Sequence, residues 1–224
     1  MRMLHEQLLA KVAGERERIV TRRGLLTGTT KIAAGGAVAL ALGGGSLHAR
    51  SAFAQADERD EAFESDLDVL NYALTLEHLE YSFYRDGIDQ FTFGNDPFGM
   101  SIATNLAAIR DHEKAHVDTL TQVITDLGGE PVAEATYDFG YTDAGTFLAT
   151  AAALENTGVS AYDGAGAFLE NPDLLTAAGT IVAVEARHAA YLNLVLGEMP
   201  FPSAFETAKT PAEILEIAGP FIVS

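Results

Sequence analysis

The sequence predicts an all-α protein: a four-helix bundle with a long crossover between its second and third helices and a short C-terminal helix. Three observations predict it. Four long stretches place apolar residues at alternating spacings of three and four, the period of an amphipathic helix. No stretch of comparable length alternates with period two, apart from a weak strand pattern in the crossover. A Glu-x-x-His motif occurs twice, at Glu113-Lys114-Ala115-His116 and at Glu185-Ala186-Arg187-His188, each time inside one of those helical stretches.

Residues 1–56 read as an export signal. Thr21-Arg22-Arg23-Gly24-Leu25-Leu26 is followed by an apolar Gly/Ala run from Ile32 to Leu42 and a small-x-small site, Ala54-Gln55-Ala56. The apolar run is too short to span a bilayer comfortably, so no stable membrane insertion is expected after cleavage. The paired arginines resemble a twin-arginine (Tat) signal. That implies passage of a folded protein to an extracellular, cell-surface or periplasmic location. Residues 57–224 then form one domain of 168 residues, enough for one sizeable core, with the bundle over 65–197.

That domain carries 29 acidic residues against 6 basic ones, a formal charge of −23, and its only lysines are Lys114 and Lys209. Such a surface repels nucleic acid and anionic membranes. It is similar to the acidic, lysine-poor surfaces of proteins from salt-loving organisms, where salt screens self-repulsion. The chain has no cysteine, which excludes disulfides, thiol catalysis and Cys-ligated zinc or iron–sulfur sites.

The first helix is predicted from about Ser65 to Ile88, after an acidic leader spanning Asp57 to Asp68, with Leu70, Leu74, Glu77, Tyr81, Tyr84 and Ile88 on one stripe. The turn-rich link FGNDPFG (93–99) leads to the second, from about Ser101 to Leu127, whose stripe is Ile102, Leu106, Ile109, Glu113, His116, Leu120, Val123 and Leu127. Residues 128–143 are long enough to cross the bundle from end to end. The third helix is expected from about Ala144 to Glu170, aligning Leu148, Glu155, Val159, Tyr162 and Leu169. Asn171-Pro172 is a cap followed by a first-turn proline, and it opens the fourth, with Leu174, Ala178, Ile181, Glu185, His188, Leu192 and Val195 in register. Thr210-Pro211-Ala212-Glu213 reads as a capping box for the last short helix.

An internal repeat underlies this layout. Leu76-Glu77-x4-Ser82-Phe83-Tyr84 is echoed by Leu154-Glu155-x4-Ser160-Ala161-Tyr162, and each Glu precedes one Glu-x-x-His motif. The chain therefore reads as two hairpins of one design. Residues three apart on a helix are separated by about 300° and share a face. The acids and histidines therefore occupy the apolar stripes, where packing would bury Glu77, Glu113, Glu155 and Glu185 together with His116 and His188. An unpaired buried carboxylate costs several kcal/mol, and no lysine or arginine sits on these stripes. Four carboxylates sum to −4, which two divalent cations would neutralise. With 15 Glu and 4 His in the domain, chance yields about 0.4 Glu-x-x-His matches, so two in core register are informative. His78 and His112 fall off the stripes and are expected at the surface. Glu80 rivals Glu77 on its helix, and the heptad register favours Glu77.

The arrangement resembles the ferritin-like superfamily of di-metal carboxylate proteins over about residues 65–197, and among them the secreted group that includes desiccation-related proteins. The resemblance implies Glu77 and Glu155 as single metal ligands, and Glu113 with His116 and Glu185 with His188 as paired ones, Glu113 and Glu185 bridging. Tyr84 and Tyr162 each stand seven residues after a ligand Glu, where they could serve as redox or hydrogen-bonding groups or as ordinary core tyrosines. The oxygen-rich, two-histidine set suits two iron or manganese ions, with O2 or peroxide as small-molecule substrates. Manganese catalases typically show a less complete ligand set. The crossover matches cage-type iron stores, and although an oligomer is compatible with this architecture, nothing in the sequence argues for a 24-subunit shell. The expectation is an oxidase, ferroxidase or peroxide scavenger. The alternatives are a stress-associated binding protein whose metals only stabilise it and a metal-free interaction module.

Overall fold

The computed structural model describes residues 63–223, and the export signal expected over 1–56 lies outside them. The described chain forms α1 (Asp66–Gly87), α2 (Ile102–Asp126), α3 (Ala144–Ala165), α4 (Pro172–Val195) and a short α5 (Pro211–Ala218), with single 3-10 turns after α1, α3 and α5. Each α-helix starts at a side-chain cap: Ser65, Ser101, Asp143, Asn171 and Thr210 each accept a hydrogen bond from a first-turn backbone N–H. Asp66 and Asp68 lie in the first turn of α1 rather than in a leader, where their charge suits the positive end of the helix. The third helix stops five residues before the expected Glu170, and Leu169 falls beyond the 3-10 turn Gly166–Phe168. Near this end Gly164 lets the returning C-terminal segment pass close to the helix, since a Cβ there would run into the Lys209 carbonyl.

α1 packs mainly on α2, and α3 on α4. Two apolar clusters fill the bundle. One joins Leu79, Phe83 and Ile88 of α1 with Ile102 and Leu106, Phe147 and Ala151, and Leu192. The other joins Leu70 and Leu74 with Val117, Leu120 and Ile124, Tyr162, and Ile181. Reading along the chain, α1 and α4 run from the second cluster towards the first, while α2 and α3 run the opposite way. The link between α2 and α3 must therefore return the full length of the bundle.

It does so along α1. The Asn71 side chain holds the Glu130 carbonyl and the Val132 N–H, His78 Nε2 lies 3.2 Å from the Val132 carbonyl, and Arg85 pairs with Glu134 at 2.9 Å. Phe139 and Tyr141 then stack edge-on against Phe83 beside Gly87, where any side chain would meet Phe147 and Tyr141. His78 is therefore half-buried as an anchor for the crossover. The expected strand pattern reduces to one antiparallel bridge, Tyr137 to Ile222, which ties the crossover to the C-terminus. α5 covers α3, burying Ile214 and Ala218.

Candidate metal centre

Between the two apolar clusters lies a polar layer. Glu77, Glu113, Glu155 and Glu185 are fully buried, and His188 is 5% exposed. One helix supplies each single Glu, and α2 and α4 each supply Glu and His one turn apart. The six residues fall into two groups whose oxygen and nitrogen atoms all lie within 4.8 Å of one another: Glu77, Glu113, His116 and Glu185, and Glu113, Glu155, Glu185 and His188.

The atomic detail divides them evenly. His116 Nδ1 faces Glu77 Oε2 at 3.2 Å, Glu113 Oε2 at 3.1 Å and Glu185 Oε1 at 3.0 Å. His188 Nδ1 faces Glu113 Oε1 at 2.9 Å, Glu155 Oε2 at 3.2 Å and Glu185 Oε2 at 3.8 Å. Glu113 and Glu185 each turn one oxygen to either histidine, and Glu77 and Glu155 serve one side each. A single ring nitrogen can donate to only one of three oxygens at a time. Accordingly Glu113 Oε1 and both Glu185 oxygens are buried without a hydrogen bond, despite lying close to a histidine. One nitrogen and three oxygens converging on one point is what a cation's coordination shell requires. The oxygen-rich donor set, with one imidazole per group, could hold a metal ion at each.

The outer oxygens are also held. The Tyr84 hydroxyl donates to Glu155 Oε1 at 2.6 Å, and the Tyr162 hydroxyl donates to Glu77 Oε1. Each tyrosine thus serves the Glu of the other hairpin, in keeping with the internal repeat. Burial, and then the neighbouring carboxylate, pushes both phenols well above their usual range.

Without cations, protons carry the balancing charge. Burial and then Glu185 push Glu77 up to about 8, and burial with the charge of Glu113 raises Glu155 well above the carboxylate range. Burial acts the other way on the histidines, but hydrogen bonds to Glu113 and its neighbours outweigh it and hold both at about 12. Burial would raise Glu185 too, yet His116 and His188 together hold it at about 2. Protons on His116, His188, Glu77 and Glu155 thus offset the buried negative charge.

Two further residues approach the site: Glu80, the rival of Glu77 on α1, and His112, which the apolar stripes did not mark. Glu80 is 3% exposed, so both acids of α1 are buried, but only Glu77 belongs to either group. Glu80 faces Gly158 of α3, where a Cβ would meet its Oε1 at 2.8 Å. His112 is exposed as expected, yet its Nδ1 lies 2.9 Å from His188 Nε2, with the rings nearly parallel at 12°. Beside Tyr162 lies an apolar cavity of about 40 Å³, lined in part by Leu70, Leu120, Leu174, Ala178 and Ile181. It has room for roughly three water-sized molecules.

Residues 65–198 match the family described as the ferritin-like domain. Among solved structures, the chain is similar to a conserved hypothetical protein from Mycobacterium tuberculosis, with 24% identity, a TM-score of 0.50, and coverage of 61% of this chain and 94% of that one. A likeness at that identity speaks to the fold. No curated protein matches the chain.

Proposed function

The chain belongs to the ferritin-like domain family, and on that premise we propose that it is an exported di-metal protein acting on O2 or peroxide. It holds two iron or manganese ions and works as an oxidase, ferroxidase or peroxide scavenger, in oxidative or desiccation stress or in metal handling. The observation that carries this reading is the convergence of each histidine Nδ1 with three carboxylate oxygens from three different helices.

Glu77, Glu113, His116 and Glu185 would hold one ion, and Glu113, Glu155, Glu185 and His188 the other; bound there, a redox-active pair would exchange electrons with a small oxygen species. The protein's own part is positional. Tyr84 and Tyr162 fix the outer oxygens of Glu155 and Glu77, and the two apolar clusters keep bulk water from the layer. The cavity beside Tyr162 suits a small uncharged molecule better than an anion, in line with O2 or peroxide. Arg22-Arg23 and the apolar run that follows support export, and a Tat-type route fits because it carries proteins already folded around their metals.

One observation favours a second reading. The four carboxylates have no exposure at all, which suits ions that only stabilise the bundle. Metal analysis by mass spectrometry, on protein purified from its own secretion pathway and on a Glu113→Ala/His188→Ala double variant, is the first test. About two iron or manganese ions per chain, lost in the variant, uphold the metal reading. No transition metal in either sample overturns it. Peroxide consumption and Fe(II) oxidation by the loaded protein then separate catalysis from stabilisation.

A further inference from the structure

His188 offers its two ring nitrogens to different neighbours. Nδ1 faces Glu113 and Glu155 in the buried layer, and Nε2 faces His112 Nδ1 at 2.9 Å. For Nδ1 to present a lone pair to a cation, the ring proton must sit on Nε2. That N–H then needs an acceptor, and among the described residues the hydrogen-bond partner of Nε2 is His112 Nδ1. In that arrangement His112 must carry its own proton on Nε2. We infer that His112 is a positioning residue that accepts the His188 Nε2–H, fixing the ring plane and the proton placement of that ligand. The inference rests on the metal reading given above.

The arrangement is one-sided. His112 directly precedes Glu113 on α2, and the corresponding residue before Glu185 on α4 is Val184, which can accept no hydrogen bond from its side chain. Among the described residues, His116 makes its side-chain hydrogen bonds through Nδ1 alone. The internal repeat is therefore broken at one position, and the two halves of the site should differ in affinity. Partners that orient a ligating histidine in this way are worth about 10- to 100-fold in metal affinity.

The test uses the purified full chain freed of metal and titrated with Mn(II) and with Co(II), whose visible spectrum reports coordination. The proteins compared are the wild type, His112→Phe, which keeps a flat ring without an acceptor, and His112→Asn, whose Oδ1 stands near the position of Nδ1. The expected result is two ions in the wild type and, in His112→Phe, one ion bound normally and one weakened about 10- to 100-fold, with recovery in His112→Asn. In metal-free His112→Phe the buried His188 Nε2–H also loses its acceptor, so some fall in unfolding temperature is expected there; a merely structural role would lower that temperature without separating the affinities of the two ions. Equal affinity for both ions in the wild type and His112→Phe overturns the inference. So does loss of affinity at both ions equally. A wild type that binds neither ion overturns the metal reading, and this inference with it, and so is told apart from failure of the inference alone.

Discussion

Glu80 is buried beside the carboxylate–histidine layer, but among the described residues neither an ion pair nor a hydrogen bond supports its charge. Burial and then the charges of Glu185 and Glu155 raise its pKa well above the usual value of 4.5. A group whose folded pKa is raised binds its proton more tightly in the native state, so stability falls as pH climbs above about 4.5. Glu80→Gln keeps the shape and removes the ionisation. It should stabilise the metal-free protein at pH 8, by an amount on the order of 1–3 kcal/mol for a buried unpaired polar group. The gain should shrink as pH falls through about 4.5, towards the range in which Glu80 is protonated in both states. Urea titrations at the two pH values check it, and an equal gain at both would mean that packing, not charge, is responsible. Glu80 and Gly158 are also coupled. Gly158→Ala should cost about 1–3 kcal/mol in the wild-type background and much less in Glu80→Ala, where the colliding carboxylate is gone. At this scale the sequence was legible where one helix's geometry sufficed, since Glu-x-x-His spacing alone puts Glu113 with His116 and Glu185 with His188 on one face. It did not reveal His112, whose ring is exposed but reaches across to α4. Such a contact depends on how closely two helices approach, and no single-helix period records that.

Among the elements, the crossover is the least like an ordinary loop. It rides α1 from Asn71 to Gly87, and its aromatic end is locked by Phe83, Phe139, Tyr141 and Phe147. Gly87 is the tight point: a Cβ added there would lie 2.5 Å from Phe147 Cε2 and 2.7 Å from the Tyr141 hydroxyl. Gly87→Ala should therefore destabilise the fold by about 1–3 kcal/mol, although the same change in an open helix is favourable. Thermal unfolding followed by circular dichroism measures this, and an unchanged or raised midpoint would show that the aromatic end yields. The helices themselves were legible to within a residue or two because their caps are local, Ser65, Ser101, Asn171 and Thr210 each standing where a helix begins. The end of α3 was not: the chain passes into the 3-10 turn Gly166–Phe168 beside a segment some 45 residues further along, which Gly164 admits by lacking a Cβ. The path of the crossover along α1 was equally hidden. Its length implied a crossing of the bundle, but His78, read from periodicity as a surface residue, is one of the side chains that anchor it.

Across the whole molecule, charge links stability, pH and metal. Glu77 at about 8 against 4.5 when unfolded, and His116 and His188 at about 12 against 6.5, all have native pKa values raised above the unfolded ones. Each such group stabilises the fold less as pH rises from its unfolded value towards its folded value. Glu185, held at about 2, acts in the opposite direction only below about 4.5. The metal-free protein should therefore lose stability steadily between about pH 4.5 and pH 8, and the repulsion among the acidic surface groups adds to the same slope. Metal reverses that slope, since a cation needs the deprotonated carboxylates and free Nδ1 lone pairs that rising pH provides. Binding should release protons, and affinity should rise with pH through about 8, the region in which Glu77 gives up its proton. Calorimetric titration with Mn(II) in buffers of different ionisation enthalpy measures the number released, and unfolding temperatures across pH with and without metal measure the change of slope. Proton release near zero, with metal-free stability rising over the same range, would mean that the buried layer is ionised without cations and that the charge balance proposed for the site is wrong.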